Sequence, residues 1–319
     1  MINQLFQPDI TIVIPTHTAP VNDVVLAVQN QNYKGKIKII VMDDGKTERS
    51  SQMPKGIKYV HNGTNLGLAR NMNKGILMAK TNFVITLHQD CIPQTTDWLA
   101  LAMKPMQDKS IVLSSSQQII PKQVWNKFSF WHKVFAVPEL KLQKTINEHA
   151  TVYKMDVLKK CGLFDYKTHH TAGEDTDLFM KMRNYGKLVV NEGLVAHIHA
   201  PHNDSLLGYI KKILMRDNEA MGVLHRKYLL KMGFQFWYDL FRTVLFLFLA
   251  VFLFYDYFVS LGILAVIVIL ANIMHLNVVK HLVDIRLLFL PFVYTFIWFI
   301  TLFAMWKGFL TGKQGIFNN

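Results

Sequence analysis

Cysteine is scarce in this chain, with two among 319 residues, Cys91 and Cys161. They have neither metal-site spacing nor the number for a disulfide framework, as expected of a reducing compartment. Charged residues are few, at 18%, and acids are in the minority, 22 Asp and Glu against 35 Lys and Arg. There is no internal repeat and no low-complexity segment. No secretory signal opens the chain, because the first apolar run is short and reads as a strand. No nucleic-acid-binding module is recognisable either, so the formal charge of +13 points elsewhere. The bases gather beside long apolar stretches, where anionic lipid headgroups and diphosphate-bearing lipids are the fitting partners, not nucleic acid. Asn62-Gly63-Thr64 and Asn203-Asp204-Ser205 match the glycosylation sequon, a pattern short enough to recur by chance and unused in a cytoplasmic domain.

The first third of the chain alternates two periodicities. Ile10-Thr11-Ile12-Val13-Ile14-Pro15 is a β-branched run stopped by proline and predicts a buried strand. Lys38 to Met42, Lys58 to His61 and Phe83 to Leu87 predict three more strands. Helical stretches at about 21–31 and 66–79 lie between them. This α/β alternation predicts a mostly parallel sheet covered by helices. Ligands bind beyond the carboxyl ends of such strands. Asp43, Asp44 and Asp90 all fall there, which suits binding a metal or hydrogen-bonding a sugar or base.

Further along, Thr171-Ala172-Gly173-Glu174-Asp175-Thr176-Asp177 leads into Leu178, Phe179, Met182 and Tyr185 at helical spacing. Glu174 and Asp175 therefore sit at a helix N-terminus. A carboxylate there caps the helix and stays ionised, or serves as a general base toward an incoming hydroxyl.

Taken in order, these pieces resemble the family 2 glycosyltransferases of the GT-A fold. The matching elements are Ile12-Val13-Ile14-Pro15-Thr16-His17, Val41-Met42-Asp43-Asp44-Gly45 and Asn65-Leu66-Gly67-Leu68-Ala69-Arg70-Asn71. His88-Gln89-Asp90, Cys161-Gly162-Leu163-Phe164-Asp165 and Gly173-Glu174-Asp175-Thr176-Asp177 follow. The resemblance covers about residues 10–200. It implies a nucleotide-sugar donor, with Asp43 and Asp44 near the base, Pro15, Thr16 and His17 as the loop beside it, and Arg70 near base and diphosphate. It makes Asp90 the last carboxylate of the Asp-x-Asp motif, holding Mn²⁺ or Mg²⁺ against the diphosphate. It makes Asp175, with Glu174 beside it, the catalytic base of direct, inverting displacement. A hard cation there neutralises the charge of the departing diphosphate.

His88 stands where the motif's first Asp is expected, with Gln89 between it and Asp90, and the resemblance places both His88 and Gln89 at the donor nucleotide. Imidazole can hydrogen-bond a ribose hydroxyl, and it ligates Mn²⁺ better than Mg²⁺; alternatively His88 only packs. His197 and His199 alternate and put both rings on one side of an extended segment. The resemblance favours His199 as a further metal ligand, with His197 second. His169 and His170 line an acceptor pocket or occupy a loop. The stretch 114–150, with Trp125, Phe128, Phe130, Trp131 and Phe135, is a candidate for acceptor recognition or a small core. No Gln-x-x-Arg-Trp element follows residue 175, which argues against processive synthesis. The expected acceptor is a hydroxyl of a lipid-linked glycan or glycolipid. A polyprenyl phosphate needs no base, so the Glu-Asp element argues against it. A silent nucleotide-binding membrane scaffold is the reading that the His88 substitution leaves open.

Composition changes after about residue 236. Three apolar blocks, about 238–254, 258–274 and 287–305, are predicted spans, with Tyr255-Asp256-Tyr257 as a turn between the first two. Pro291 is placed to kink the third, and Trp298 and Trp306 to mark an interface. Segment 205–236 is amphipathic and reads as an interfacial linker. The expected domains are 1–204, 205–236 and 237–319. Lys211, Lys212, Arg216, Arg226, Lys227, Lys231 and Arg242, with Lys280 and Arg286, assign the catalytic side to the cytoplasm. Three full spans would put Lys307 and Lys313 outside, against that rule.

Overall fold

The structure, a computed structural model, describes residues 6–17, 19–198, 205–273 and 276–315. The chain divides into two compact units. One comprises residues 1–128, 138–167 and 174–201; the other comprises 129–137, 168–173 and 202–319.

The first unit is built on an eight-stranded sheet among the described residues. Its strands are β1 (Ile10–Thr16), β2 (Ile37–Asp43), β3 (Lys58–His61), β4 (Phe83–Leu87), β5 (Cys91–Pro93), β6 (Ile111–Ile119), β7 (Ala150–Lys154) and β8 (Lys187–His197). Their order is β3-β2-β1-β4-β7-β6-β8-β5. The first four pair in parallel, as the alternation of strands and helices predicts. The other half is mixed: β7 runs antiparallel to both β4 and β6, and β5 antiparallel to β8. β6 and β8 pair in parallel, so the mostly parallel expectation holds for β1 to β4 and for that pair, while β7 and β5 run against their neighbours.

Every residue of β1 is buried, since both faces of the sheet are covered. This is why its run is continuously apolar rather than alternating. On one face Val24, Val25 and Val28 of the helix Asn22–Gln29 share a core with Ile10, Ile12 and Ile14. On the other, Met72 and Ile76 of the helix Leu68–Met78 share a core with Val13 and Met42. Removing a side chain such as Ile12 to Ala costs about 2–5 kcal/mol at such a site. The register pairs Thr16 with Asp43, so the acidic end of β2 lies beside the last residue of β1. The strand order turns back between β1 and β4, the place where open α/β sheets leave a crevice.

The second unit is helical in its larger part. Its principal helices are Met215–Tyr228, Phe234–Phe252, Tyr257–Ile273 and Leu290–Thr311. Among the described residues, the stretches Phe234–Tyr255 and Ile285–Thr311 are long and apolar enough to cross a membrane. Tyr257–Ile273, at 17 residues, is shorter. The helix break at 253–256 falls on the polar turn, where the Asp256 carboxylate accepts from Phe258 N and Val259 N and caps the next helix. Pro291 lies in the first turn of its helix, where the N–H it lacks has no partner anyway.

The helix Leu290–Thr311 packs closely on Met215–Tyr228. A Cβ at Gly222 would stand 1.8 Å from Met305 O, and one at Gly308 2.0 Å from Glu219 O. Beside this crossing Lys307 Nζ pairs with Glu219 Oε2 at 2.9 Å. Trp298 Nε1 donates to Tyr238 OH at 2.6 Å, and Trp306 Nε1 to Thr243 Oγ1 at 3.1 Å. The aromatic stretch is shared out by packing. Trp125 and Phe128 are buried in the first unit, whereas Phe135 stacks on Tyr209 at 4.6 Å in the second.

Candidate active site

Asp43 ends β2 with no exposed surface. Its Oδ1 accepts from Gly45 N and Arg49 Nη2, both at 2.8 Å, and its Oδ2 from Arg49 Nε at 3.0 Å and Tyr59 OH at 2.7 Å. Burial alone would raise this carboxyl, but the bonds from Arg49, Tyr59 and Gly45 outweigh it and hold Asp43 below the usual carboxylate range. Arg49 also donates to Thr16 Oγ1 and Ala19 O, tying the loop after β1 to the loop after β2. All four acceptor positions of Asp43 are therefore taken. A further donor reaches this carboxylate only by displacing one of Arg49, Tyr59 or Gly45. Pro15 and Thr16 are buried in β1, and His17 is exposed just beyond.

Asp44 turns the other way. Its Oδ1 accepts from Asn62 Nδ2 at 2.6 Å and its Oδ2 from Leu66 N at 3.1 Å. Burial raises its pKa despite these donors. Asn71 Nδ2 donates to Met42 O, so Asp44 and Asn71 together fix the chain between β2 and the helix Leu68–Met78. That helix carries Arg70 on its exposed side, the guanidinium 5.7 Å from the centre of the Tyr166 ring.

The second cluster lies at the ends of β4, β7 and β8. β4 and β7 are paired through Leu87 and Ala150, so His88 and Glu148-His149 follow as neighbours, with His88 N donating to His149 O. The His88 and His149 rings are 4.8 Å apart, as are those of His149 and His197. Asp90 Oδ2 stands 3.5 Å from His197 Nε2, and Glu148 Oε1 stands 3.7 Å from His88 Nε2 and 3.6 Å from His149 Nε2. Gln89 Oε1 and His88 Nε2 are buried atoms without a hydrogen bond.

Asp175 joins this cluster from the first turn of the helix Glu174–Met182. Burial, and then the charge and hydrogen bonding of Glu148, push its carboxyl up to about 7. Thr176 N donates to Asp175 Oδ1 at 2.6 Å and opposes the shift. Glu174 precedes it in the same helical turn and is buried. Asp175, Glu148, His88, His149, His197 and Asp90 thus form one continuous row of acid and imidazole groups. His199 lies outside the described residues.

The row fits a divalent cation. It offers carboxylate oxygen from Asp90 and Glu148 and imidazole nitrogen from three histidines. His149 is held neutral, since burial and the neighbouring His88 and His197 keep its pKa well below the usual value. Cys91, His149 and His197 also place ligand atoms within 4.8 Å of one another. Burial, then Asp90 and Glu148, push the Cys91 thiol up, so it stays protonated in the absence of a cation.

Sequence reasoning did not find Arg49, Tyr59, Glu148 or His149. Arg49 sits in a polar loop without a motif, and its link to Asp43 exists only in three dimensions. The one signal for Glu148 and His149 was a polar pair directly before a short β-branched strand.

Three comparisons bear on this site. The family model for Glycosyl transferase family 2 matches residues 11–161. No curated protein sequence matches the chain significantly. Among solved structures, the mannosyltransferase PcManGT from Pyrobaculum calidifontis, in complex with GDP-Man and Mn²⁺, is similar with a TM-score of 0.58 and 14% sequence identity. The match covers 96% of this chain and 88% of that one, and at this identity it speaks for the fold. The parallel half-sheet with acidic strand ends, the matched span and the shared fold agree: residues 11–161 are similar to the Glycosyl transferase family 2 model, and the fold is similar to that of a solved mannosyltransferase.

Proposed function

We propose that this protein is an inverting, metal-dependent glycosyltransferase. It moves a sugar from a nucleotide-diphosphate donor to a hydroxyl on a lipid-linked glycan or glycolipid. One observation carries the reading: Asp90 and Asp175, 85 positions apart in sequence, meet in a single row through Glu148 and the three histidines. The donor binds over the ends of β1 and β2, with its base against the Arg49–Asp43 pair. Arg70 and His17, both exposed at this edge, meet the diphosphate. Asp90 and His197 hold Mn²⁺ or Mg²⁺, with His199 as a further candidate ligand. When bound, that ion supplies charge neutralisation for the leaving diphosphate. Asp175 takes the proton of the acceptor hydroxyl. Its raised pKa makes it a stronger base than a free carboxylate, provided that it is ionised when the acceptor arrives. Glu174, buried in the same helical turn, is the second carboxylate of this pair. The similar mannosyltransferase was solved with GDP-Man and Mn²⁺, which makes a GDP-sugar and Mn²⁺ the first pair to try here.

The proposed organisation is a catalytic domain over 1–204, an interfacial linker over 205–236 and a membrane domain over 237–319. The catalytic domain is cytoplasmic, where nucleotide sugars are made. The Lys307–Glu219 pair supports a topology in which the last helix ends on the same side as the basic linker. Lys307 and Lys313 then obey the positive-inside rule, which three full crossings would break. Labelling of single cysteines introduced at Lys313 and Tyr255 in sealed vesicles tests this. Accessibility of position 313 from the side opposite the linker would reject it.

The activity is tested with full-length protein in detergent or native lipid, a panel of nucleotide sugars and Mn²⁺. Expected is turnover of one donor class with inversion at the anomeric carbon, and its loss in Asp175→Asn. No turnover with any donor, with a thermal shift by a nucleoside diphosphate retained, would leave only the silent nucleotide-binding scaffold, and no shift either would reject both readings.

A further inference from the structure

We propose that His88, Glu148 and His149 form a second cation site, separate from Asp90, that takes a borderline transition ion of the Zn²⁺ class in preference to Mg²⁺. The three ligand atoms lie within 4.8 Å of one another. Glu148 Oε1 is 3.7 Å from His88 Nε2 and 3.6 Å from His149 Nε2. Charge-assisted hydrogen bonds between a carboxylate and an imidazole close to about 2.7–2.9 Å, and these have not closed. Two donors that each stand about 2.1 Å from one tetrahedral ion are about 3.4 Å apart. The contacts match that separation and not a hydrogen bond.

The outer contacts orient the same three groups toward one point. His149 Nδ1 is 2.9 Å from Gln118 Oε1, so the proton on Nδ1 is donated there and the Nε2 lone pair is left facing Glu148. Ligating histidines are oriented in this way, with the far N–H held by an oxygen acceptor. His88 Nε2 is buried and has no hydrogen bond, although imidazole nitrogen in such a place normally finds a partner. Glu148 is 8% exposed, and a carboxylate so enclosed calls for positive charge.

Backbone pairing holds the group ready. The β4–β7 ladder continues past Leu87 and Ala150 into the bond from His88 N to His149 O, so the two imidazoles are cross-strand neighbours before any ion arrives. The donor set is two imidazoles and one carboxylate, a combination that suits Zn²⁺ and leaves a coordination position open. Mg²⁺ requires near-octahedral oxygen ligands, which this group cannot offer. Asp90 sits on the far side of the row, against His197.

The test reads cation binding without nucleotide sugar, so its failure leaves the transferase reading standing, and the reverse also holds. Full-length protein in detergent is stripped with chelator and titrated with Co²⁺, followed by its visible absorption and by calorimetry. Expected is uptake with the intense absorption of a low-coordinate Co²⁺ centre, displaced by Zn²⁺ but not by Mg²⁺. Glu148→Gln, which preserves side-chain shape, and His149→Ala abolish that centre. Gln118→Ala removes no ligand and weakens it about 10-fold or more. Thermal unfolding of each stripped variant confirms that it is folded. An unchanged Co²⁺ titration in Glu148→Gln and His149→Ala would overturn the site. Equal loss in Asp90→Ala would reduce it to one ion shared with Asp90, and competition by Mg²⁺ would overturn its selectivity.

Discussion

Glu148 and Asp175 stand carboxyl to carboxyl, one at the entry to β7 and the other in the first turn of the helix Glu174–Met182. Neither sequence neighbourhood refers to the other. Together in a buried place they cannot both ionise cheaply, and Asp175 keeps its proton up to about pH 7.

This relationship sets a pH dependence. Asp175 is raised from an unfolded value near 4 to about 7, so between those limits the folded state holds a proton that the unfolded state has lost. Its contribution to stability therefore falls as pH rises through that window and is level above it. Activity that uses Asp175 as a base rises through the same window, with its midpoint at or below 7 once a cation is bound nearby. Glu148→Gln moves the ascending limb of kcat/KM to lower pH. A limb that stays in place would show that Asp175 is not the group titrating.

Asp175→Asn removes the base and keeps the shape. Loss of about 10²–10⁴ in kcat is expected, with nucleotide affinity nearly unchanged. Full turnover in this variant would reject the assignment.

Asp90→Ala is expected to weaken Mn²⁺-dependent donor binding, read as a rightward shift of the Mn²⁺ titration by electron paramagnetic resonance in the presence of nucleoside diphosphate. His197→Ala shifts it in the same direction. An unchanged titration in Asp90→Ala would remove that carboxylate from the metal site.

Arg49→Ala leaves the fully buried Asp43 carboxylate short of two donors and destabilises the first unit by about 3–5 kcal/mol. Tyr59→Phe removes one bond to a charged group and costs about 1.5–3 kcal/mol. The Asp43 pKa is lowered, so its contribution is present above the unfolded value and is lost as pH falls through the folded one. Thermal unfolding of the two variants at pH 7 checks both magnitudes, and an Arg49→Ala protein as stable as the parent would contradict them.

Gly308→Ala places a methyl group 2.0 Å from Glu219 O, on backbone that cannot step aside alone. The two helices must separate, at about 1–3 kcal/mol. A lowered Tm in detergent, shared by Gly222→Ala, is expected; unchanged Tm in both would mean that the crossing has room for the methyl groups.

The first four strands and two helices were legible because each is local. The run Ile10 to Pro15 has no alternation, and a run of that kind is buried on both faces wherever it lies. The boundary at Asp43 was visible because an apolar strand gives way to two acids and a glycine. The mixed second half of the sheet was not visible, since the direction of β7 depends on how the long segment after β6 returns. Glu148 and His149 were missed for the same reason: a cross-strand neighbour 60 positions away leaves no periodic trace. The Leu290–Thr311 helix shows the opposite limit. Its apolarity was plain, but its ending beside Glu219 depends on two glycines that meet only after packing.

The order of residue types along the chain determined which segments are strands, which are apolar helices and where acids stand at their ends, because these follow from short-range sterics and from the free energy of burying apolar surface. Tertiary structure alone decided which acids and imidazoles face one another. Charge interactions depend on distance through space: the pairing of β4 with β7 brought His88 beside Glu148 and His149, and the start of the helix Glu174–Met182 brought Asp175 to Glu148.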